Sequence, residues 1–389
     1  MEKMDYYKES LKLHEEKKGK WAMTSKVPLE TKDDLSLAYT PGVAQPCLEI
    51  QKDPDKIYTY TSKQNTVAII TDGSAVLGLG NIGAKAAVPV MEGKAILFKG
   101  FADIHALPIC LETQDTEEIL MIIRNIAPTF GGINLEDISA PRCFEIEKRL
   151  QDMLDIPVFH DDQHGTAIVT TAALINSAKI VGKALQELKV VISGAGAAGV
   201  AVANMLMAVG VKDILICDRK GILADQADLT SSKREIAQKT NRENIRGTLK
   251  EALLGRDVFI GLSGPSVIDE DDVKTMGKDP IIFAMSNPEP EITPEKAFVG
   301  GAFIVGTGRS DHPNQINNVL IFPGLFRGAL DARAKVISQG MKVAAAYALA
   351  SYIKEEDLAP DYILPSPLDK GVVPLISQAV QEAWEKEGK

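Results

Sequence analysis

Leu188-Lys-Val-Val-Ile-Ser193, then Gly194-Ala195-Gly196-Ala197-Ala198-Gly199, then the Ala-rich run to Val209, then Ile214-Leu-Ile-Cys217-Asp218, is the stretch that decides the fold. The first apolar run reads as a buried strand, the Ala-rich run as a helix, and the G-x-G-x-x-G between them as the turn that joins them. Gly194 permits the tight turn, Gly196 lets a pyrophosphate approach the backbone, and Gly199 allows close helix–strand packing. With Ala195, Ala197 and Ala198 completing the turn, the amides at the helix start and the helix dipole are placed to hold a dinucleotide's phosphates. Asp218 closes the second strand nineteen residues past Gly199. There it would accept from a ribose 2′-OH, which favours NAD. Arg219 and Lys220 follow at once, and either could pair with the 2′-phosphate of NADP; a solvated turn is the other reading of these three residues.

The same alternation extends outward from this stretch. Downstream, strands are expected at Val258–Leu262, Ile281–Met285 and Phe303–Val305, with helices near 231–239 and 248–254 and over 323–354 and 374–386. Upstream, strands are expected at Thr66–Thr71, Ile104–Leu111, Gly132–Ile138 and Pro157–His160. Helices are expected at Ala84–Phe98, Thr116–Ile126, Cys143–Leu154 and Gly165–Val181. Alternating strands and helices of this length make an α/β protein with mainly parallel sheets. The reading is two domains: an N-terminal α/β domain over 1–163, and a Rossmann-like, doubly wound dinucleotide-binding domain over 164–389 that includes the C-terminal helices. Before Thr66 the chain is polar, with a helical start, a Lys/Thr/Asp-rich loop and a turn at Tyr39-Thr-Pro-Gly42.

The length of 389 residues fits two or three domains at about 150 residues each. Hydrophobic residues at 45% and charged residues at 25% are ordinary globular composition. The formal charge of −10 argues against a nucleic-acid partner, whose footprint is a basic face. An anionic substrate would need a local cation against this field. Four widely spaced cysteines read as reduced, mostly buried thiols of a cytoplasmic protein. The charged start MEKMDYYKES has no signal-peptide core, and no apolar run approaches the roughly 18 residues of a membrane span.

Two acidic pairs stand at expected strand ends: Glu136-Asp137 in GGINLEDIS and Asp161-Asp162 in PVFHDDQHGT. Ligands bind at the carboxyl ends of strands in open α/β sheets, and oxygen donors suit Mg²⁺ or Mn²⁺. Neighbours in a regular strand point to opposite faces, so both members of a pair ligate only where the strand has ended. Both Glu136 and Asp137 are expected to do so, with one of Asp161 and Asp162. His160 and His164 share a face only on a helix, and this segment crosses from strand to helix, which weakens a zinc reading. Lys94, in VMEGKAILFKGF, is expected to be partly buried, with desolvation lowering its pKa towards that of a usable base. The phenol of Tyr39 could deliver a proton.

These residues together resemble the malic enzyme family, from about Tyr39 to Gly324, through YTPGVA, TDGSAVLGLGNIG, PVMEGKAILFK, NLEDI, FHDDQHGT, SGAGAAG, FAMSNP and NNVLIFPG. The length is similar to the short prokaryotic form. The resemblance implies metal-dependent oxidative decarboxylation of L-malate to pyruvate and CO₂ with NAD or NADP, by a homodimer or larger assembly needing Mg²⁺ or Mn²⁺. It implies that Lys94 is the general base and Tyr39 the general acid, with Glu136, Asp137 and Asp162 as metal ligands and Asp161 as an adjacent carboxylate. It further puts Asn287 near the nicotinamide and Asn318 near the substrate carboxylate. Ala75 stands where longer relatives carry a substrate-gripping Arg. Malolactic enzyme and oxaloacetate decarboxylase are the rival enzymes. A dinucleotide sensor without catalysis is disfavoured by the intact Lys94, Tyr39 and four carboxylates.

Overall fold

In the computed structural model, which describes residues 5–388 apart from 77, 226–228 and 230, ten strands fall into two sheets. Met1–Met4 and Leu77 of the TDGSAVLGLGNIG stretch lie outside the described residues. The first sheet holds β1 (Thr66–Thr71), β2 (His105–Cys110), β3 (Gly132–Leu135) and β4 (Val158–His160) in the order β2-β1-β3-β4, all parallel. Val67–Ile70 are wholly buried, as a parallel sheet covered on both faces requires. The period-2 alternation sorts them. Val67 and Ile69 join a core with Met91 and Phe98 of the helix Gly83–Ala102. Ala68 and Ile70 join Ile119 and Ile123 of the helix Thr116–Ile126, and Ile146 and Leu150 of the helix Arg142–Met153. Each such buried Val, Ile, Leu, Met or Phe side chain is worth about 1.5–3 kcal/mol of transfer energy.

The second sheet is β10 (Ile304–Thr307), β9 (Ile281–Ala284), β8 (Val258–Gly261), β5 (Lys189–Ser193), β6 (Asp213–Asp218) and β7 (Gly221–Ile222), in that spatial order. Only β7 runs antiparallel, to β6. The strand order reverses between β5 and β8, which is where doubly wound sheets open a ligand crevice. The helix Asp161–Ile180 links the two sheets. The C-terminal helices are Phe322–Asp331, Gln339–Ser351 and Val372–Lys386, and the first of them returns to the N-terminal half: Phe98 of the helix Gly83–Ala102 meets Phe322 at 4.7 Å with tilted rings and Phe326 edge-on at 5.3 Å between ring centroids.

Four expectations are corrected. The linking helix begins at Asp161, four residues before Gly165, so both aspartates lie in its first turn. The helix expected over 323–354 is two helices, because Arg333 turns left-handed (φ 48°) and Ser338 caps a new start at the Met341 amide. The polar loop before Tyr39 contains the helix Lys32–Ala38, started by a Thr31–Asp34 capping box. Of the thiols, Cys143 and Cys217 are buried, Cys110 is half-buried and Cys47 is exposed. Burial pushes the Cys143 and Cys217 thiols up to about 12.

Candidate active site

β3 ends at Leu135, and the chain turns through Asp137 in a left-handed conformation (φ 54°). That turn frees Glu136 and Asp137 from strand alternation. β4 ends beside it and hands over to the Asp161 helix. One oxygen each of Glu136, Asp137 and Asp162 lie within 4.8 Å of one another. Asp162 Oδ2 accepts from the Asp137 amide at 2.8 Å, and Glu136 Oε2 accepts from Asn134 Nδ2 at 2.8 Å. Asp161 points elsewhere, to Lys94.

Lys94 comes from the helix Gly83–Ala102 and is 7% exposed. Its ammonium lies 2.5 Å from Asp161 Oδ2, 2.9 Å from Glu136 Oε1 and 4.1 Å from the centre of the Phe322 ring. The expectation of a lowered Lys94 pKa is corrected. Burial does push it down, but the Asp161 and Glu136 carboxylates outweigh burial and raise it. The same crowding acts on the acids. Burial, opposed by Lys94 and helped by Glu136, pushes Asp161 up to about 7. Burial, opposed by Lys94 and helped by Asp161, pushes Asp162 up to about 6. Burial also raises Glu136.

Gly165 shows how tightly this is built. A Cβ there would lie 1.9 Å from Asp161 Oδ1 and 3.0 Å from Asn318 Cβ. Asn318 therefore sits against Asp161. A glycine inside a helix is the signal that could have revealed this close approach. Asn287 follows β9, and its carbonyl packs 2.8 Å from where Gly78 would carry a Cβ, so the loop after β1 meets the second sheet there. Arg142 was not among the expected site residues. It bonds the buried Asp72 at 2.7 Å and Ser74 Oγ at 2.9 Å, fixing the loop that carries Ala75. His164 bonds Glu147 at 2.9 Å, and neither His164 nor His160 belongs to the metal-competent group among the described residues.

On the second sheet, a Cβ at Gly199 would strike Gly194 O at 1.8 Å, whereas a Cβ at Gly196 would meet nothing within 4 Å. The first contact packs helix on strand; the second leaves open space for a phosphate. The helix Ala197–Ala208 has no side-chain cap. Ala197 packs on the first sheet's cluster that includes Ile138, so the start of this helix meets the half of the chain that carries the acidic strand ends. Asp218 is engaged: Lys233 Nζ lies 2.6 Å from its Oδ2, and the Lys220 amide donates to Oδ1 at 2.8 Å. Lys233 was not expected, because it comes from a helix fifteen residues further on.

Tyr39 does not join these groups within the chain. It ends the helix Lys32–Ala38, is 66% exposed, and its phenol has no hydrogen bond among the described residues.

Residues 18–151 match the family description "Malic enzyme, N-terminal domain", and residues 163–377 match "Malic enzyme, NAD binding domain". The chain belongs to the malic enzyme family. An NAD-dependent malic enzyme of Geobacillus stearothermophilus is 57% identical over 95% of this chain and 77% of its own length. A bifunctional malic/malolactic enzyme of Bacillus subtilis is 53% identical over 98% and 93%. The crystal structure of an NAD-dependent malic enzyme from Thermotoga maritima superposes with a TM-score of 0.92 at 48% identity, covering 96% of this chain and 98% of that one. The NADP-dependent malic enzyme of Escherichia coli, 46% identical, is about twice as long: 95% of this chain covers 51% of that protein.

Proposed function

We propose that this enzyme oxidatively decarboxylates L-malate to pyruvate and CO₂, with NAD or NADP accepting the hydride and Mg²⁺ or Mn²⁺ held by Glu136, Asp137 and Asp162. One observation carries this: three carboxylates converge within 4.8 Å beside a buried lysine. The donors fit such an ion, being all oxygen. Lys94 pairs with Glu136 and Asp161, while one oxygen each of Glu136, Asp137 and Asp162 converge beside it, a negatively charged set that a divalent cation suits. When bound, the ion supplies Lewis-acid chemistry, easing ionisation of the C2 hydroxyl and drawing charge from the ketone oxygen during CO₂ loss.

Lys94 takes the hydroxyl proton as hydride leaves C2. It must first shed its own proton, and Asp161, 2.5 Å away and pushed up to about 7, is placed to receive it. The two then work as one coupled base. Asn318, against Asp161, and Asn287, at the end of β9, border the space where malate and nicotinamide meet. Tyr39 returns a proton to C3 after CO₂ leaves.

The 66% exposure of Tyr39 supports a reading in which it serves a partner's site. The helices Tyr6–Lys17, Lys32–Ala38 and Ala44–Lys52 bury no residue, and Tyr7, Leu11, Met23 and Leu37 are each more than 70% exposed. So much apolar surface marks an association face. A second copy covers it, making at least a homodimer with Tyr39 reaching the neighbour.

Asp218 favours NAD through the ribose hydroxyls, while Lys233 beside it offers a partner to a 2′-phosphate. A cytoplasmic setting fits the four free thiols. The description of the Bacillus relative supports malolactic turnover as a second activity. Initial rates with L-malate, Mn²⁺ and each coenzyme test the proposal. Pyruvate with stoichiometric NADH or NADPH is the expected result. Lactate without net reduced coenzyme would replace it with the malolactic reading.

A further inference from the structure

The two acids that open the helix Asp161–Ile180 do not cap it. Asp161 is spent on Lys94, and Asp162 accepts from the Asp137 amide. His160, at the cap position, makes no side-chain cap bond either. A buried helix start left this way carries unsatisfied donors and a partial positive charge. Another element takes the load. Glu147, on the helix Arg142–Met153, is 6% exposed. Its carboxylate accepts from the His160 backbone amide at 3.0 Å, from His164 Nε2 at 2.9 Å and from Gln163 Nε2 at 3.5 Å. Lys342, buried in the C-terminal helix Gln339–Ser351, adds a positive charge facing it. Burial opposes ionisation of Glu147, but His164 and Lys342 outweigh it and hold the carboxyl near about 2.

We propose that Glu147 is a positioning residue for the acidic cluster. By gripping the His160 amide and the His164 and Gln163 side chains, it fixes the first turn of the helix. It thereby fixes the direction in which Asp161 meets Lys94 and Asp162 meets Asp137. This rests on the metal reading above, because Asp162 is one of its three ligands. Three donors converge on two carboxylate oxygens, so an amide cannot substitute: Gln has one acceptor oxygen, and its NH₂ would face a donor.

The experiment measures Mn²⁺ affinity by electron paramagnetic resonance of the free ion, in the full-length wild-type protein, Glu147→Gln and Glu147→Ala. NADH affinity by fluorescence is the control, since that site lies on the other sheet. Glu147→Gln is expected to weaken Mn²⁺ binding about tenfold, as loss of an orienting partner does at metal sites, with NADH affinity within about twofold. Glu147→Ala is expected to weaken it further. An unchanged Mn²⁺ affinity in Glu147→Gln overturns the proposal. So does a parallel loss of Mn²⁺ and NADH binding, which would assign Glu147 to general folding. Failure of the wild-type protein to bind Mn²⁺ overturns the metal reading and this proposal with it, so the two failures are told apart.

Discussion

Lys94 and Tyr39, the proposed base and acid, sit at opposite extremes of packing. Lys94 is locked between Asp161, Glu136 and the face of Phe322, at 7% exposure. Tyr39 stands on an arm whose helices bury nothing, at 66% exposure. A single chain therefore pre-organises the acidic half of the chemistry and leaves the other half open. The first half is held by a covered parallel sheet and by charges that cannot separate in a low-dielectric setting. The second has no such support until another surface covers the arm.

The largest effects should come from breaking the closed half. Lys94→Ala is expected to lower malate oxidation by about 10²–10⁴-fold, the usual worth of a positioned acid or base. A variant that keeps most of its rate across the pH range would move the base elsewhere.

The open half is tested by mixing two inactive variants, Lys94→Ala and Tyr39→Phe. If Tyr39 acts across the interface of a two-fold dimer, each mixed dimer has one intact site, and random re-association restores about a quarter of wild-type activity. If Tyr39 acts within its own chain, both sites of every mixed dimer are defective and mixing restores nothing. Full activity from a protein that light scattering shows to be monomeric would also break the contrast.

A third test reads the charge stored in the closed half. Asp161 at about 7 and Asp162 at about 6 lie above the ordinary aspartate value. The metal-free fold therefore keeps these protons to higher pH than the unfolded chain does. Its stability is lost as pH rises from about 4 to about 7. A divalent ion offsets that loss only where the acids are ionised. Mn²⁺ at a hundred times its Kd should stabilise by about 2.7 kcal/mol. The rise in melting temperature should be clear at pH 8 and nearly absent at pH 5. Equal shifts at both pH values would detach the metal from these acids.

The smallest effect is expected at Asp218, where the pair with Lys233 is partly exposed. Such a pair is worth about 1 kcal/mol or less, so Lys233→Ala should raise the KM for NADP by about fivefold or less, with little change for NAD. Asp218→Ala should weaken NAD more than NADP. Equal shifts for both coenzymes would remove Asp218 as the selector.

Both sheets were legible because parallel strands buried on both faces are written as unbroken apolar runs, such as Thr66–Thr71 and Val258–Gly261. The Gly194–Gly199 turn was legible because local geometry dictates its glycines. What escaped depends on tertiary reach. Glu147 reads as one acid among several on an amphipathic helix, and only packing brings it to His160. Lys94 reads as a lysine that burial will discharge, and the two carboxylates that reverse this lie 42 and 67 residues away. The break at 332–338 has no Pro or Gly to announce it; Ser338 was the available sign.

The central claim is that Glu136, Asp137 and Asp162 hold the ion on which malate oxidation depends. The most direct measurement is reduced-coenzyme formation from L-malate as Mn²⁺ is titrated into chelator-stripped protein, wild type beside Asp162→Asn. The wild-type rate should rise from near zero to saturation, while Asp162→Asn, which still binds NADH, stays about 10³-fold lower, or roughly 4 kcal/mol in the barrier. A wild-type rate independent of Mn²⁺, or an Asp162→Asn curve that overlays the wild type, would contradict it.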